Sequence, residues 1–397
     1  MPFELTHQEE LARKIAREFA QREIVPRRRE LRDGNEDTIK EIEKKQVAAS
    51  LHLAIVPKDL GGTGLGNVAR CIIFEELTAA FPRLLDLQFK EFAYYFARAT
   101  GGEVEKKWLP LSIKGEASAG PMINEPQGGS DILGFTTTAR KDNNEWVING
   151  RKCFISYAHI NDFGMVLVKT GDPDNPATKG FRAFSAFIVE KGMPGFRVTR
   201  IEKNLYCSES AEIVFDNVRV PQSYVVGEIG RGMLPVFSAV GDIGRLGVTS
   251  ELNGCILGSY ECSLKFAQER ILYGKPISQL QAIQYRLGEM FIDLEATRSL
   301  TYRAAWLRNK NIRCDAEQAI AKYFATQAAL RASLHAVNIH GGAGVMEEYM
   351  PQLYYRFVPL LIGAGGTDEA MKNIIARATL EGANPSLGRN SAEESGY

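Results

Sequence analysis

The sequence predicts an α+β chain in which a block of strands is set between two helical regions. Three observations carry this. Apolar residues recur three and four apart from Thr6 to about Gly115. The pattern then changes to alternation between about Ala119 and Val226, and helical spacing returns from Gly232 onward. At 397 residues the chain is long enough for two or three domains. The changes of pattern divide it at 1–118, 119–228 and 229–397.

The first helix is expected just after Thr6, where Thr6 and Glu9 have the spacing of a capping box ahead of "ELARKIAREFA". "PKDLGGTGLG" (Pro57–Gly66) is a turn-rich break, after which "VARCIIFEELTAAFPRLLDLQFKEFAYYFARAT" resumes the helical period. Pro82 is expected to start a new helix, where its missing N–H costs nothing. The runs "EWVINGRKCFISYA", "DFGMVLVKTG", "AFSAFIVEK" and "SAEIVFDNVRV" read as strands separated by Gly, Asp and Pro. Asn149-Gly150 predicts a hairpin turn. Helices then continue to the end, broken at "YGKPISQL", at "GGAGVMEEYMP" and at a glycine loop around Gly365, with "NPSLGRNSAEESGY" expected to be a partly ordered tail.

Composition excludes several functions. Lys plus Arg and Asp plus Glu are 48 each, so no net field favours nucleic acid or an anionic membrane. The cysteines (Cys71, Cys153, Cys207, Cys255, Cys262, Cys314) are far apart with no CxxC pair, which predicts free thiols rather than disulfides or zinc. The five histidines have no metal-ligand spacing, so no metal is expected. The N-terminus has neither a signal-peptide core nor an Arg-rich transit pattern. No run approaches the roughly 20 apolar residues of a membrane span. The expectation is a soluble cytoplasmic protein.

Five motifs in order carry a resemblance. They are "MINEPQGGSD" (Met122–Asp131), "INGRKCFIS" (Ile148–Ser156), "ERILYGKPISQLQAIQ" (Glu269–Gln284), "HGGAGVMEEY" (His340–Tyr349) and "GGTDEAMKNIIAR" (Gly365–Arg377). Together with the helix–strand–helix order they resemble the acyl-CoA dehydrogenase family over essentially the whole chain. The resemblance implies an N-terminal helical domain, a central β-barrel-like domain and a C-terminal four-helix bundle. It also implies FAD, an acyl-CoA thioester substrate, electron-transfer flavoprotein or a similar acceptor, and a homotetramer. It assigns Met122, Asn124, Phe154, Ser156, Arg270, Tyr273, Gln281, Asn338, Gly341, Gly342, Thr367 and Glu369 to FAD. Phe154 would flank the flavin ring, Ser156 would hydrogen-bond its N5, and Arg270 would reach the diphosphate in an adjoining subunit, where a guanidinium fork suits phosphate. Ser130, Asp242, Arg245 and Gly365 fall to the CoA thioester, and Arg83, Leu84 and Leu87 to the wall of the acyl site.

One part of the family pattern is absent. The usual glutamate base precedes the Gly-Thr of the last loop, where this chain has Gly365. Some relatives place it instead before the arginine that matches Arg245, where this chain has Gly244. Glycine accepts no proton, so ordinary α,β-dehydrogenation lacks its general base, while the lost bulk suits a branched or cyclic acyl group. Glu91 is the candidate replacement. It follows Arg83 and Leu87 at steps of four on the acyl-wall helix and is flanked by Phe89, Phe92, Tyr94 and Tyr95, company that raises a carboxylate toward neutrality. This arrangement resembles a family branch that acts on cyclic unsaturated acyl-CoAs through a carboxylate on this helix, although that branch has aspartate there. For cyclohex-1-ene-1-carboxyl-CoA, loss of the acidic γ-proton from C3 and of hydride from C6 gives cyclohexa-1,5-diene-1-carboxyl-CoA. The alternatives are a non-oxidative lyase or desulfinase in which Arg83 holds an anionic acyl tail, a reductase of the family, and a non-catalytic relative.

Overall fold

The computed structural model describes residues 4–82, 86–171, 175, 178–206 and 208–380. Arg83, Leu84, Cys207 and the expected ragged tail lie outside them.

The N-terminal helices are α1 (His7–Phe19), α2 (Arg28–Arg32), α3 (Glu36–Ala48), α4 (Gly66–Ala80), α5 (Asp86–Thr100) and α6 (Gly102–Ile113). The Glu9 N–H donates to Thr6 Oγ1 (3.3 Å) and the Thr6 N–H to the Glu9 carboxylate (2.7 Å), completing the expected capping box. The helix start expected at Pro82 borders residues 83–85, which lie outside the described residues. Phe81 is extended (φ −161°, ψ 122°), as a residue ahead of proline tends to be. α4 ends at Ala80, and α5 is described from Asp86.

Strands follow: β1 (Ala119–Met122), β2 (Thr138–Asp142), β3 (Glu145–Ser156), β4 (Phe163–Lys169), β5 (Phe184–Glu190), β6 (Phe196–Lys203), β7 (Glu209–Pro221) and β8 (Val225–Val226). Their order in the sheet is β6-β7-β3-β2-β4-β5-β8, with β1 parallel to β4. Asn149-Gly150 is not the hairpin turn. That turn falls at Asn143-Asn144, with Asn143 at φ 55°. The longer strand β3 runs through Asn149-Gly150, and its pairing with β7 slips there. A Cβ on Gly150 would lie 2.6 Å from Thr137 Cα, so the glycine serves close approach of β2 and β3.

The C-terminal part contains α7 (Met233–Ala239), a widened i→i+5 turn near Val240–Arg245, α8 (Leu246–Glu269), a short hairpin β9 (Ile271–Leu272) and β10 (Lys275–Pro276), α9 (Gln281–Asn309), α10 (Asp315–His340), α11 (Pro351–Gly363) and α12 (Asp368–Leu380). No described helix is long and apolar enough to cross a membrane.

The chain forms two compact units whose boundaries cut across the sequence order. One takes the chain up to Lys44, then α4, then everything from Gly244. In it α10 packs on α8, α9, α11 and α12, and α4 lies on α8 and α9. Gly258 permits the close approach of α4, since a Cβ there would sit 2.8 Å from the Ala79 carbonyl oxygen. Buried Glu75 ties α4 to α9 by accepting from Arg298 Nε (2.8 Å) and the Tyr302 hydroxyl (2.9 Å).

The other unit holds Lys45–Thr63 and the chain from α5 to Ile243. An apolar cluster joins Phe89, Phe92 and Phe96 of α5 to Trp108 of α6 and to Phe163 and Phe184 of the sheet. A second cluster is built from Trp146, Ile148, Phe187, Phe215 and Val218. Cys71, Cys153, Cys255, Cys262 and Cys314 are free thiols.

Candidate active site

In the sheet-containing unit, α5 presents Leu87 and Glu91 from consecutive turns, and each is only 1% exposed. Residues four apart share a helix face, so the stripe that buries Leu87 also buries the Glu91 carboxylate. Two contacts position this helix. Gln88 Nε2 donates to the Ile243 carbonyl (3.2 Å), next to half-buried Asp242. The Phe89 ring meets Tyr157 edge-on at 5.5 Å, one residue beyond Ser156. Phe89 and Phe92, the neighbours expected to surround Glu91, are both in the buried cluster.

Between Lys152 and Ile155 the pairing of β3 with β7 slips again. Phe154 lies inside this bulge at φ 54° and is 66% exposed, with exposed Ser156 two residues on. A bulky residue at positive φ is costly, and such strain gathers at ligand sites. The Cys153 N–H donates to the Asn124 carbonyl (2.9 Å), so the loop after Met122 is hydrogen-bonded to β3 at the bulge. Met122 is buried at the end of β1, whereas Asn124 and Ser130 are exposed. An outward aromatic ring beside a hydroxyl and a loop rich in backbone donors fits a flat heteroaromatic ligand such as flavin.

In the helical unit the two glycine positions converge. Arg245 Nε–H donates to the Gly365 carbonyl (3.2 Å), and a Cβ on Gly365 would lie 3.2 Å from Arg245 Cα. Gly365 and Gly366 have φ 69° and 110°, conformations that L side chains rarely adopt. Buried Lys322 straddles this loop, donating to the Ile362 carbonyl (2.5 Å) before it and to Asp368 (3.1 Å) after it. Burial lowers the Lys322 pKa, and the hydrogen bond to Asp368 opposes the shift. Thr367 is half-buried and accepts from the Ala370 N–H (3.3 Å) at the start of α12, leaving Glu369 exposed.

At the other end of these helices, Phe266 of α8 stacks on His340 of α10 at 4.2 Å. This brings the end of α8, where Arg270 follows, near the exposed Asn338, Gly341 and Gly342. Arg270 is exposed, and Tyr273 is 90% exposed at φ 54° on the β9–β10 hairpin. Gln281 opens α9 and donates to the Tyr285 hydroxyl (2.6 Å). Exposed donors on a fixed helix end suit a diphosphate or adenosine moiety.

Three residues with a bearing on the site were not anticipated. Lys152 falls in phase with Trp146 and Ile148 along β3, so period-two reading had the signal for a buried lysine. Tyr157 and Lys322 carry no comparable mark.

Residues 6–116 match the N-terminal domain of acyl-CoA dehydrogenases, 120–218 the middle domain and 230–380 the C-terminal domain. The chain is 32% identical to the 3-(aryl)acrylate reductase of Clostridium sporogenes over 95% of its own length and 99% of that protein. It is 33% identical to the acryloyl-CoA reductase (NADH) of Anaerotignum propionicum, covering 96% of each. The solved butyryl-CoA dehydrogenase of Megasphaera elsdenii superimposes with a TM-score of 0.88 at 26% identity, covering 96% of this chain and 100% of that one. The FAD complex of PigA does so at 0.84 and 26%, covering 96% and 99%.

Proposed function

Because the chain belongs to the acyl-CoA dehydrogenase family, and is thereby an FAD-binding oxidoreductase of CH–CH bonds, we propose that it works on an acyl-CoA thioester with Glu91 as its base. The observation that carries this reading is the contrast between a carboxylate buried to 1% on α5 and glycine at both familiar base positions. Bound FAD supplies a two-electron acceptor at its ring.

The chain's own groups have separable tasks. Phe154 and Ser156 would orient the flavin ring and Asn124 its loop, with Arg270, Tyr273, Gln281, Asn338, Gly341, Gly342, Thr367 and Glu369 holding the remainder. Ser130, Asp242 and Arg245 would hold the CoA thioester, and Leu87, with Arg83 and Leu84, the acyl group. Glu91, buried on α5 together with Leu87, takes a proton from the substrate carbon nearest it. With no base at the α-carbon, the matching substrate is a cyclic acyl-CoA already unsaturated at α,β. Its γ-proton is acidic because an extended dienolate takes up the charge. Cyclohex-1-ene-1-carboxyl-CoA, losing H⁺ from C3 and hydride from C6, is the type compound. Electron-transfer flavoprotein or a similar protein is the proposed acceptor, and the assembly a homotetramer.

The reductive direction is a second reading, favoured by two relatives that are reductases by name. There Glu91 would deliver a proton instead of removing one. The lyase reading gains nothing from these relatives.

The test is anaerobic mixing with saturated linear, branched, cyclic and cyclic-unsaturated acyl-CoAs. Flavin bleaching is expected only with the last class, and fast bleaching by butyryl-CoA would refute the reading.

A further inference from the structure

We propose that the buried Lys152–Glu125 pair is a positioning device for FAD, holding the Met122–Asp131 loop in register with the bulge of β3. The side chains are 0% and 1% exposed and meet at 2.9 Å. Lys152 Nζ also donates to the Ile123 carbonyl (2.7 Å) and sits 4.6 Å from the centre of the Phe135 ring. The next residue of β3, Cys153, donates its N–H to the Asn124 carbonyl (2.9 Å). Two consecutive residues of the strand thus grip two consecutive carbonyls of the loop, immediately before Phe154.

Glu125 fastens the loop from its other side. Its carboxylate accepts from the Thr136 N–H (2.6 Å), the Thr136 hydroxyl (3.0 Å), the Thr137 N–H (3.1 Å) and Gln127 Nε2 (2.7 Å). The Glu125 and Gly128 backbones also exchange hydrogen bonds of 3.1 and 2.9 Å. One buried ion pair therefore links the loop to β3 through Lys152 and to Thr136 and Thr137, ahead of β2, through Glu125.

A buried ion pair is a weak source of stability, because apolar residues of similar volume often serve as well. Its directional bonds instead select one loop geometry, and a ligand site requires its supporting shell to be fixed to a fraction of an ångström. Lys152 and Glu125 are positioning residues, acting through Ile123, Asn124 and the bulge. This inference rests on the assignment of Asn124 and Phe154 to FAD.

The test compares FAD release from the holoprotein, followed by flavin fluorescence after dilution, with the melting temperature. Lys152→Met with Glu125→Gln removes both charges while keeping shape and an amide acceptor for Thr136 and Thr137. This double variant is expected to melt within a few degrees of the parent, to release FAD roughly tenfold faster, and to show a less structured visible flavin band. Glu125→Gln alone leaves the Lys152 charge buried without its counterion, and is expected to release FAD at least as fast as the double variant and to melt lower. Unchanged release and spectrum in both variants would overturn the proposal, as would a melting temperature of the double variant that drops in step with its flavin loss. Asn124→Ala and Phe154→Leu separate the two levels. If these too leave FAD release unchanged, the site assignment fails. If they accelerate it while the pair variants do not, only the positioning role fails.

Discussion

Glu91 is the residue on which the proposed chemistry turns, and its variants are the most direct measurements. Glu91→Gln keeps size and hydrogen bonding but accepts no proton. Substrate binding is expected to persist while flavin reduction falls by roughly 10²–10⁴-fold, the range of lost general-base catalysis, read by stopped-flow absorbance. Glu91→Asp should retain part of the rate. Parent-like turnover of cyclohex-1-ene-1-carboxyl-CoA by Glu91→Gln would exclude the assignment. Gly365 calls for a different expectation. Restoring a glutamate there would place a side chain at φ 69° with its Cβ 3.2 Å from Arg245 Cα, so the loop would have to move. Even Gly365→Ala is expected to cost about 1–3 kcal/mol of stability, measured by thermal or denaturant unfolding. A neutral effect would show that the loop adapts freely. The identity of both glycines is legible in the sequence, but the positive φ and the proximity of Arg245 are not, because they depend on a backbone path joining residues 120 positions apart.

At the scale of elements, β3 and the loop after β1 behave as one piece joined by buried charge. Burial alone would raise the Glu125 pKa, but the Lys152 charge and the Thr136 and Lys152 hydrogen bonds outweigh it, taking it from 4.5 to about 2. A carboxyl whose folded value lies below its unfolded one stabilises the protein above the unfolded value. That contribution disappears as pH falls toward the folded value. The stability difference between the parent and Glu125→Gln should therefore shrink as pH drops from 4.5 toward 2, measured by denaturant titration at stepped pH. A constant difference would contradict the shift. Lys152 moves the opposite way. Desolvation brings it from 10.5 to about 8 against the pull of Glu125, so its own contribution to stability rises between those pH values. The strands themselves were readable from alternation. The hairpin was not, because Asn149-Gly150 has the composition of a turn while the pairing of β3 with β2 and β7 makes it a bulge.

For the whole molecule, a yellow protein with about one FAD per chain is expected, and Arg270→Ala should weaken flavin retention by removing a diphosphate partner. Size-exclusion chromatography with light scattering tests the tetramer, and a colourless protein indifferent to added FAD would contradict the cofactor. By itself the sequence determined the order of helices, strands and helices, the capping box at Thr6 and the glycines at positions 244 and 365. Each of these is a matter of residue identity or of periodicity within a few turns of chain. Only the tertiary structure decided that α4 packs with the C-terminal helices, that Phe154 is turned outward by a bulge, and that Glu91 and Lys152 are buried. Such outcomes depend on contacts between residues far apart in the chain, and a local pattern does not encode which distant surface will cover it.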